Sequence, residues 1–419
     1  MRWAKACLSR YCGCELLYLT PAAEQMPCFR QKRLRCSYFG IEIPNPGVYA
    51  DQQQTEFARR SGLKTGFRAK LAALNMDQVA RPFRQKTEDK MTVRFGLLGA
   101  GRIGRVHAKA ITGDAKAQLV AVSDAMPAAA QAIADQYGCG IRTIEAIETS
   151  KDIDAVVICT PTDTHADLIE RFAHAGKAIF CEKPIDLNVD RVRACMKVVA
   201  DTKSKLMVGF NRRFDPHFMA VRAAIDAGKI GAVEMVTITS RDPGAPPPAY
   251  IKVSGGIFHD MTIHDFDMAR FLLGEDVATV YATGSVLVDL EIGKLGDFDS
   301  ASVVLTTATG KQCMISNSRR ATYGYDQRIE VHGSKGMIAA ENQRPISIEL
   351  ANADGYTRPP LHDFFMTRYT EAYAAEIAAF IAVVAGGASP SPSGADGLAA
   401  LVLAEAALQS VREGRAIAV

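Results

Sequence analysis

Three side chains in this 419-residue chain have types and settings suited to moving a proton: Lys183, Asp260 and His264. Lys183 stands in Cys181-Glu182-Lys183-Pro184, at the end of the apolar run Ala178–Cys181. The carboxyl end of a parallel strand is where open α/β sheets bind their ligands. An ammonium there can hold or polarise a hydroxyl or carbonyl oxygen, and Pro184 would fix the backbone beside it, through a cis bond if one forms. Taken alone, the same lysine also reads as a solvated surface residue. Asp260 and His264 belong to Gly255-Gly256-Ile257-Phe258-His259-Asp260-Met261-Thr262-Ile263-His264-Asp265-Phe266-Asp267. Residues four apart on a helix share a face, and Asp267 falls near that face. An imidazole beside a carboxylate is a general base near neutral pH. The competing readings are a core histidine with a hydrogen-bonded partner, and a metal site built from His259, Asp260, His264 and Asp265. Adjacent residues such as His259 and Asp260 diverge on a helix, which counts against metal, and none is expected.

A proton acceptor alone does little redox chemistry, and the stretch Thr92–Ala110, TVRFGLLGAGRIGRVHAKA, supplies what is missing. Val93, Phe95, Leu97 and Leu98 form a short apolar run, as a buried parallel strand should. Gly99-Ala100-Gly101-Arg102-Ile103-Gly104 follows with G-x-G-x-x-G spacing. In that motif Gly99 allows the tight turn, Gly101 leaves room for a pyrophosphate, and Gly104 lets the helix pack close to the strand. Phosphates then lie on the free N–H groups of the helix N-terminus, where the helix dipole favours negative charge. A second strand, Leu119–Ser123, ends at Asp124, 20 residues after Gly104. Its carboxylate is placed to accept hydrogen bonds from an adenosine ribose and to repel a 2′-phosphate, so the expected cofactor is NAD rather than NADP.

Strands and helices alternate beyond this point. Helices are expected over Pro127–Tyr137, His165–Ala175 and Val189–Ala200, and strands over Gly140–Thr143, Ile153–Thr160, Ala178–Cys181 and Leu206–Phe210. That alternation implies right-handed crossovers and a doubly wound parallel sheet. After a short helix, Phe218–Asp226, the chain becomes strand-rich: Val233–Ser240, Val277–Val288, Ser300–Thr307, Gln312–Asn317, Arg328–His332 and Ile346–Leu350. Gly-containing turns between them suit an open, mostly antiparallel sheet. One helix, about Met261–Leu273, interrupts this run, and Tyr369–Val384 and Gly397–Arg412 close the chain as helices. The expected fold is therefore α/β, with a Rossmann domain over 91–213, a second α+β domain over 214–366, and helices over 367–419 packing back on the body. The uncovered face of the second sheet makes oligomerisation through it an expectation.

Composition bounds the function. The chain is 48% hydrophobic and 23% charged, with a formal charge of +3. That charge is unevenly spread: residues 1–90 carry 16 Lys and Arg against 8 Asp and Glu, and the remainder 33 against 38. The body thus has no nucleic-acid footprint, and no apolar run approaches the roughly 18–20 residues of a membrane span. Five of the ten cysteines crowd the first 36 residues without C-x2-C pairing; the others fall in apolar patterns, as buried thiols in a reducing compartment would. Residues 1–90 lack sustained periodicity and are expected to be an unstructured or spurious extension, with Met91 as the working start.

Taken together, GAGRIG after a strand, Thr160-Pro161 closing a strand, Glu182-Lys183-Pro184, Gly209-Phe210-Asn211-Arg212-Arg213 and GGIFHDMTIHDFD resemble the glucose–fructose oxidoreductase/inositol dehydrogenase/rhizopine catabolism (Gfo/Idh/MocA) family. The likeness covers about residues 92–419, and the N-R-R-F-D stretch, the H-D-x3-H-D segment and Tyr323-Gly324-Tyr325-Asp326 place it nearest the inositol-oxidising branch. The resemblance implies that Lys183, Asp260 and His264 are catalytic. It implies substrate contacts from Arg212, Asp267 and Tyr325. It implies cofactor contacts from Gly99, Ala100, Gly101, Arg102, Ile103, Gly104, Asp124, Thr160, Pro161, His165, Glu182 and Lys183. The reaction it implies is NAD-dependent oxidation of a cyclitol hydroxyl, myo-inositol to 2-keto-myo-inositol, by hydride transfer. His264 would take the proton, Asp260 orient the imidazole, and Lys183 bond the reacting oxygen. A cytoplasmic homotetramer binding a small polyol is expected. A different inositol isomer or a pyranose as substrate, and a non-catalytic NAD-binding regulator, are the rival readings.

Overall fold

The computed structural model describes residues 92–419 and, apart from them, two short strands, Leu34–Arg35 and Glu42–Ile43, that pair antiparallel. The expectations for the rest of 1–90, including the start at Met91, lie outside the described residues.

Six parallel strands form the first sheet: β1 (Val93–Leu98), β2 (Ala117–Ser123), β3 (Gly140–Ile141), β4 (Ala155–Ile158), β5 (Ala178–Glu182) and β6 (Leu206–Gly209). They run in the order β3-β2-β1-β4-β5-β6. Residues alternate between two apolar layers: Val93, Phe95, Leu97, Val157 and Phe180 enter one, and Val156, Ile158, Ile179 and Cys181 the other. Both faces are therefore covered, as a parallel sheet requires. The glycine-turn helix α1 (Arg102–Gly113) and α2 (Pro127–Tyr137) lie on the first side, and α4 (His165–His174) and α5 (Val189–Thr202) on the second; a short helix, α3 (Ile144–Thr149), stands between β3 and β4. The strand order reverses between β1 and β4, so the crevice opens over Gly99 and Thr160.

After α6 (Pro216–Asp226) come β7 (Val233–Arg241), a short helix α7 (Pro248–Ser254), and a π-helical turn, Phe258–Thr262, running into α8 (Ile263–Leu273). Strand β8 (Val277–Ser285), a short helix α9 (Leu290–Lys294), β9 (Ser300–Thr307), β10 (Gln312–Ser318), β11 (Asp326–Gly333) and β12 (Gly336–Ala340) follow. The second sheet is seven-stranded, in the order β12-β11-β7-β10-β9-β8 with the terminal strand Ile417–Ala418 at the far edge. Only β7 and β10 pair parallel. The structure thus combines a Rossmann-type sheet with a mixed, mostly antiparallel one. Two expected strands shift: Val277–Val288 stops at Ser285, where the chain turns toward α9, and Ile346–Leu350 is replaced by a hairpin of Leu350–Asn352 with Gly355–Thr357.

The closing helices divide their work. Helix Thr370–Val384 sends Ile377, Phe380 and Ile381 into the layer beneath β1, where Phe380 meets Phe95 at 6.1 Å. Helix Gly394–Glu413 lies against β8 and α8, and its Ser410 Oγ accepts the Ala282 N–H at 2.9 Å. This last helix is the one among the described residues long and apolar enough to cross a membrane, with mean hydropathy 1.2. Half of it is buried inside the body, which accounts for its apolarity as core.

Candidate active site

The glycine turn is shaped for close approach. Gly99 has φ +95°, and a Cβ on it would meet the Cys159 carbonyl oxygen at 2.5 Å. A Cβ on Gly104 would meet the Gly99 oxygen at 2.0 Å, so only glycine lets α1 start this near β1. Around Gly101 nothing lies within 4 Å of an added Cβ, and no side chain caps the helix N-terminus there. Unclaimed N–H groups facing open space are what a pyrophosphate needs. Asp124 closes β2 and accepts N–H bonds from Ala100 (2.5 Å) and Met126 (2.7 Å), which fixes its carboxylate beside the turn. These residues fit NAD. Ile103 packs partly buried against both apolar layers, and Arg102 stacks its guanidinium 5.3 Å from the Phe365 ring centroid.

Lys183 and Asp260 meet across 77 residues of chain: Nζ donates to the Asp260 carbonyl at 2.8 Å and lies 3.5 Å from its carboxylate Oδ1. The Lys183-Pro184 bond is cis. Tyr250, on α7, donates its phenol to Asp260 Oδ1 at 2.8 Å, and Arg319 Nη1 donates to Oδ2 at 3.3 Å. Burial pushes the Asp260 carboxyl up, but Lys183 and Arg319 pull harder, and it ends below the usual carboxylate range. Tyr250 is raised by burial and by Asp260, so it stays a neutral donor.

His264 stands apart from this carboxylate. No hydrogen bond joins it to Asp260, its Nδ1 is buried without a partner, and its ring packs edge-on to Phe210 at 6.0 Å. Burial, then the charges of Lys183 and Arg212, push it well below its ordinary value, so the imidazole is neutral near pH 7. The expected Asp260–His264 pair is thus corrected. Asp260 lies in the π turn, whose wider winding alters which residues share a face, and two cations and a phenol take its oxygens.

Several expected ligands are turned inward. Arg212 is buried, ion-paired with Asp265 and bonded to Ser240 at 3.0 Å. Asp267 is fully buried and held bidentately by Arg213, at 2.8 and 2.6 Å. Tyr325 is buried beside Arg212, edge-on to Phe364 and Tyr369. His165 spends both ring nitrogens on backbone carbonyls, of Pro184 and Thr160, each at 2.8 Å. Glu182 bonds His107 at 2.6 Å. The Thr160 and Thr164 hydroxyls bond each other at 2.6 Å, and Pro161 is exposed. Buried charges require partners, and these residues have found theirs inside the protein. His165 and Glu182 therefore position the strand end that carries Lys183. His259 pairs with Glu405 at 2.9 Å, away from Asp260.

Two residues facing the site carry no motif signal. Asp242, just past β7, is half-buried; burial and the neighbouring Asp260 push it up to about 7 against the pull of Arg319 and Arg212. Arg319, just past β10, is 1% exposed. Each directly follows a strand of the second sheet that points at the site, a register that only the paired sheet reveals.

A Rossmann-type sheet with an open glycine turn, whose strand-end Lys183 meets Asp260 of the π turn near the neutral imidazole on α8, defines an NAD-binding oxidoreductase. Two family models agree: an oxidoreductase family with NAD-binding Rossmann fold matches residues 93–210, and the Gfo/Idh/MocA C-terminal domain matches 218–339. The chain belongs to the Gfo/Idh/MocA family. It is 76% identical over 329 residues to inositol 2-dehydrogenase of Rhizobium meliloti, covering 78% of this chain and all of that one. A myo-inositol dehydrogenase structure from Corynebacterium glutamicum is 44% identical with TM-score 0.76, over 78% of this chain and 99% of that one. A scyllo-inositol dehydrogenase from Lactobacillus casei, solved with NAD(H) and scyllo-inositol, is 28% identical with TM-score 0.73 over the same 78% and 99%.

Proposed function

We propose that the chain oxidises myo-inositol at one ring hydroxyl to 2-keto-myo-inositol with NAD as acceptor. The observation that carries this reading is the meeting of Lys183 with Asp260, next to an unprotonated His264, at the carboxyl end of β5; the 76% identity to an inositol 2-dehydrogenase supports the substrate. NAD, when bound, supplies the hydride acceptor. His264 accepts the hydroxyl proton, for which a neutral imidazole is suited. Lys183 donates a hydrogen bond to the reacting oxygen and stabilises the charge that grows on it. Asp260 holds the ammonium in place, a role the 3.5 Å contact supports better than orientation of the imidazole. Asp242 accepts hydrogen bonds from other ring hydroxyls, since its carboxylate borders the same site. Leaving such a buried polar group unpaired costs about 1–3 kcal/mol, which is how the site would select a polyol.

The second sheet exposes Met235, Tyr281, Val304, Met314 and Met337. An apolar sheet face of this kind supports assembly, and a homotetramer is the state proposed. The five described cysteines are all free, which suits a reducing, cytoplasmic setting. The test is a panel of cyclitols and pyranoses with NAD⁺ and NADP⁺, read as NADH formation. Myo-inositol should give the highest kcat/KM, with NAD⁺ preferred. A scyllo-inositol or pyranose preference would move the substrate assignment within the family, and no turnover with any polyol would contradict the reading.

A further inference from the structure

Arg319 is among the largest fully buried side chains of the protein, at 1% exposure. Its backbone is tied at the start of β9, where its N–H donates to the Asp299 carbonyl at 2.8 Å. The guanidinium stands between two carboxylates: Nη1 is 3.3 Å from Asp260 Oδ2, and Nη2 is 3.7 Å from Asp297 Oδ2. Asp297 in turn accepts the Ile257 N–H at 2.9 Å, at the point where the chain enters the π turn carrying Asp260. The line Asp297–Arg319–Asp260 thus grips that turn at its entry and at its functional side chain.

Stability alone is a poor reason for this arrangement. A buried ion pair is often no better than apolar side chains of the same volume, because desolvation offsets the attraction. The arginine also leaves Nε and Nη2 without hydrogen-bond partners, a cost that a purely structural contact would avoid. The surroundings of Asp260 give the cation a use. Asp242 faces the same carboxylate, and Tyr250 can donate only a neutral hydrogen bond. Without Arg319, Lys183 would be the one cation left acting on Asp260, beside a second carboxylate that keeps only Arg212, and a proton would compete for Asp260. A protonated Asp260 would let go of the Lys183 ammonium.

We propose that Arg319 is a positioning residue for the oxidation: acting through Asp260, it keeps that carboxylate ionised and turned toward Lys183, with Asp297 as its anchor. This rests on the function proposed above. Arg319 touches neither the glycine turn nor Lys183, so its removal should act on the chemical step and leave the cofactor site alone.

Arg319→Met removes the charge and keeps the apolar stem; Arg319→Lys restores a charge. Both are assayed with wild type, with whichever cyclitol wild type oxidises, from about pH 3 to about pH 9, so that the acid limb of a carboxylate falls inside the window. The Met variant should lose about 30-fold or more in kcat, keep its KM for NAD⁺ within about 3-fold, and show the acid limb of kcat/KM displaced upward by about one pH unit. The Lys variant should return to within about 5-fold of wild type, with the limb back in place. Wild-type kcat in Arg319→Met would overturn the proposal. Equal losses in both variants with an unmoved limb would do the same, since shape rather than charge would then matter. If the Met variant does not fold, Arg319→Gln against Arg319→Lys makes the same comparison. A wild type that oxidises no cyclitol contradicts the proposed function; an active wild type with an indifferent Arg319 contradicts this inference alone.

Discussion

The glycine turn at 99–104 and the segment 255–267 both looked informative in sequence, and they behave differently in space. In the turn, every residue does what its type dictates locally: a left-handed glycine, a close-packed glycine, an open one, and a carboxylate ending the next strand. Backbone geometry sets that site, so spacing alone describes it. Segment 255–267 depends on partners from elsewhere. Its four acidic or basic side chains that matter most, Asp260, His264, Asp265 and Asp267, face Lys183 and Arg319, Phe210, Arg212, and Arg213 respectively. The lesson is that a motif built from main-chain shape can be read from one stretch, whereas one built from buried charges is sorted by whichever counter-ions the fold brings.

Substitutions in the two regions should therefore act differently. The largest effect should come from the inward-facing charges. Asp267→Asn leaves Arg213 and Asp396 in a disrupted buried cluster and should cost about 3–5 kcal/mol of unfolding free energy, measured by denaturant titration. Its KM for the cyclitol should stay near wild type in protein that remains folded; a rise in KM with unchanged stability would return Asp267 to the substrate. Lys183→Ala and His264→Ala should each cut kcat by about 10²-fold or more, with NAD⁺ binding retained by calorimetry. Wild-type rates in either would remove that residue from the reaction. At the turn, Asp124→Ser should improve the NADP⁺/NAD⁺ ratio of kcat/KM by about tenfold, and an unchanged ratio would deny the carboxylate its ribose role.

The smallest effect concerns Glu376, which is fully buried 4.0 Å from His107 with neither oxygen hydrogen-bonded. Burial, then the charge of Glu182, raises it well above the ordinary glutamate value. A raised carboxyl means the folded state holds a proton that the unfolded chain has released. Its stabilising share is complete below the unfolded value near 4.5 and is lost as pH climbs toward the folded value. Glu376→Gln should therefore flatten the decline in melting temperature between neutral and alkaline pH. A steeper decline in the variant would contradict the sign.

Legibility followed the same division. The parallel sheet, the strand-rich second half and the closing helices were readable because apolar periodicity is local. Lys183, Asp260 and His264 were readable as candidates by type. Their pairing was not, because the π turn at Phe258–Thr262 breaks the four-residue rule and because Arg319 and Tyr250 approach from distant elements. Arg212 and Arg213 are neighbours with the same side chain, and only the fold sends one to Asp265 and the other to Asp267. Asp242 and Arg319 carry no motif at all; each owes its place to the end of a strand in the second sheet.

A crystal structure of the protein with NADH and myo-inositol would show directly whether these side chains converge on the reacting hydroxyl. One ring hydroxyl should lie within hydrogen-bond reach of both Lys183 Nζ and the His264 imidazole, over the crevice at Gly99, with Asp260 still on Lys183. A cyclitol seated elsewhere, or one whose nearest ring oxygen lies beyond reach of both side chains, would contradict it.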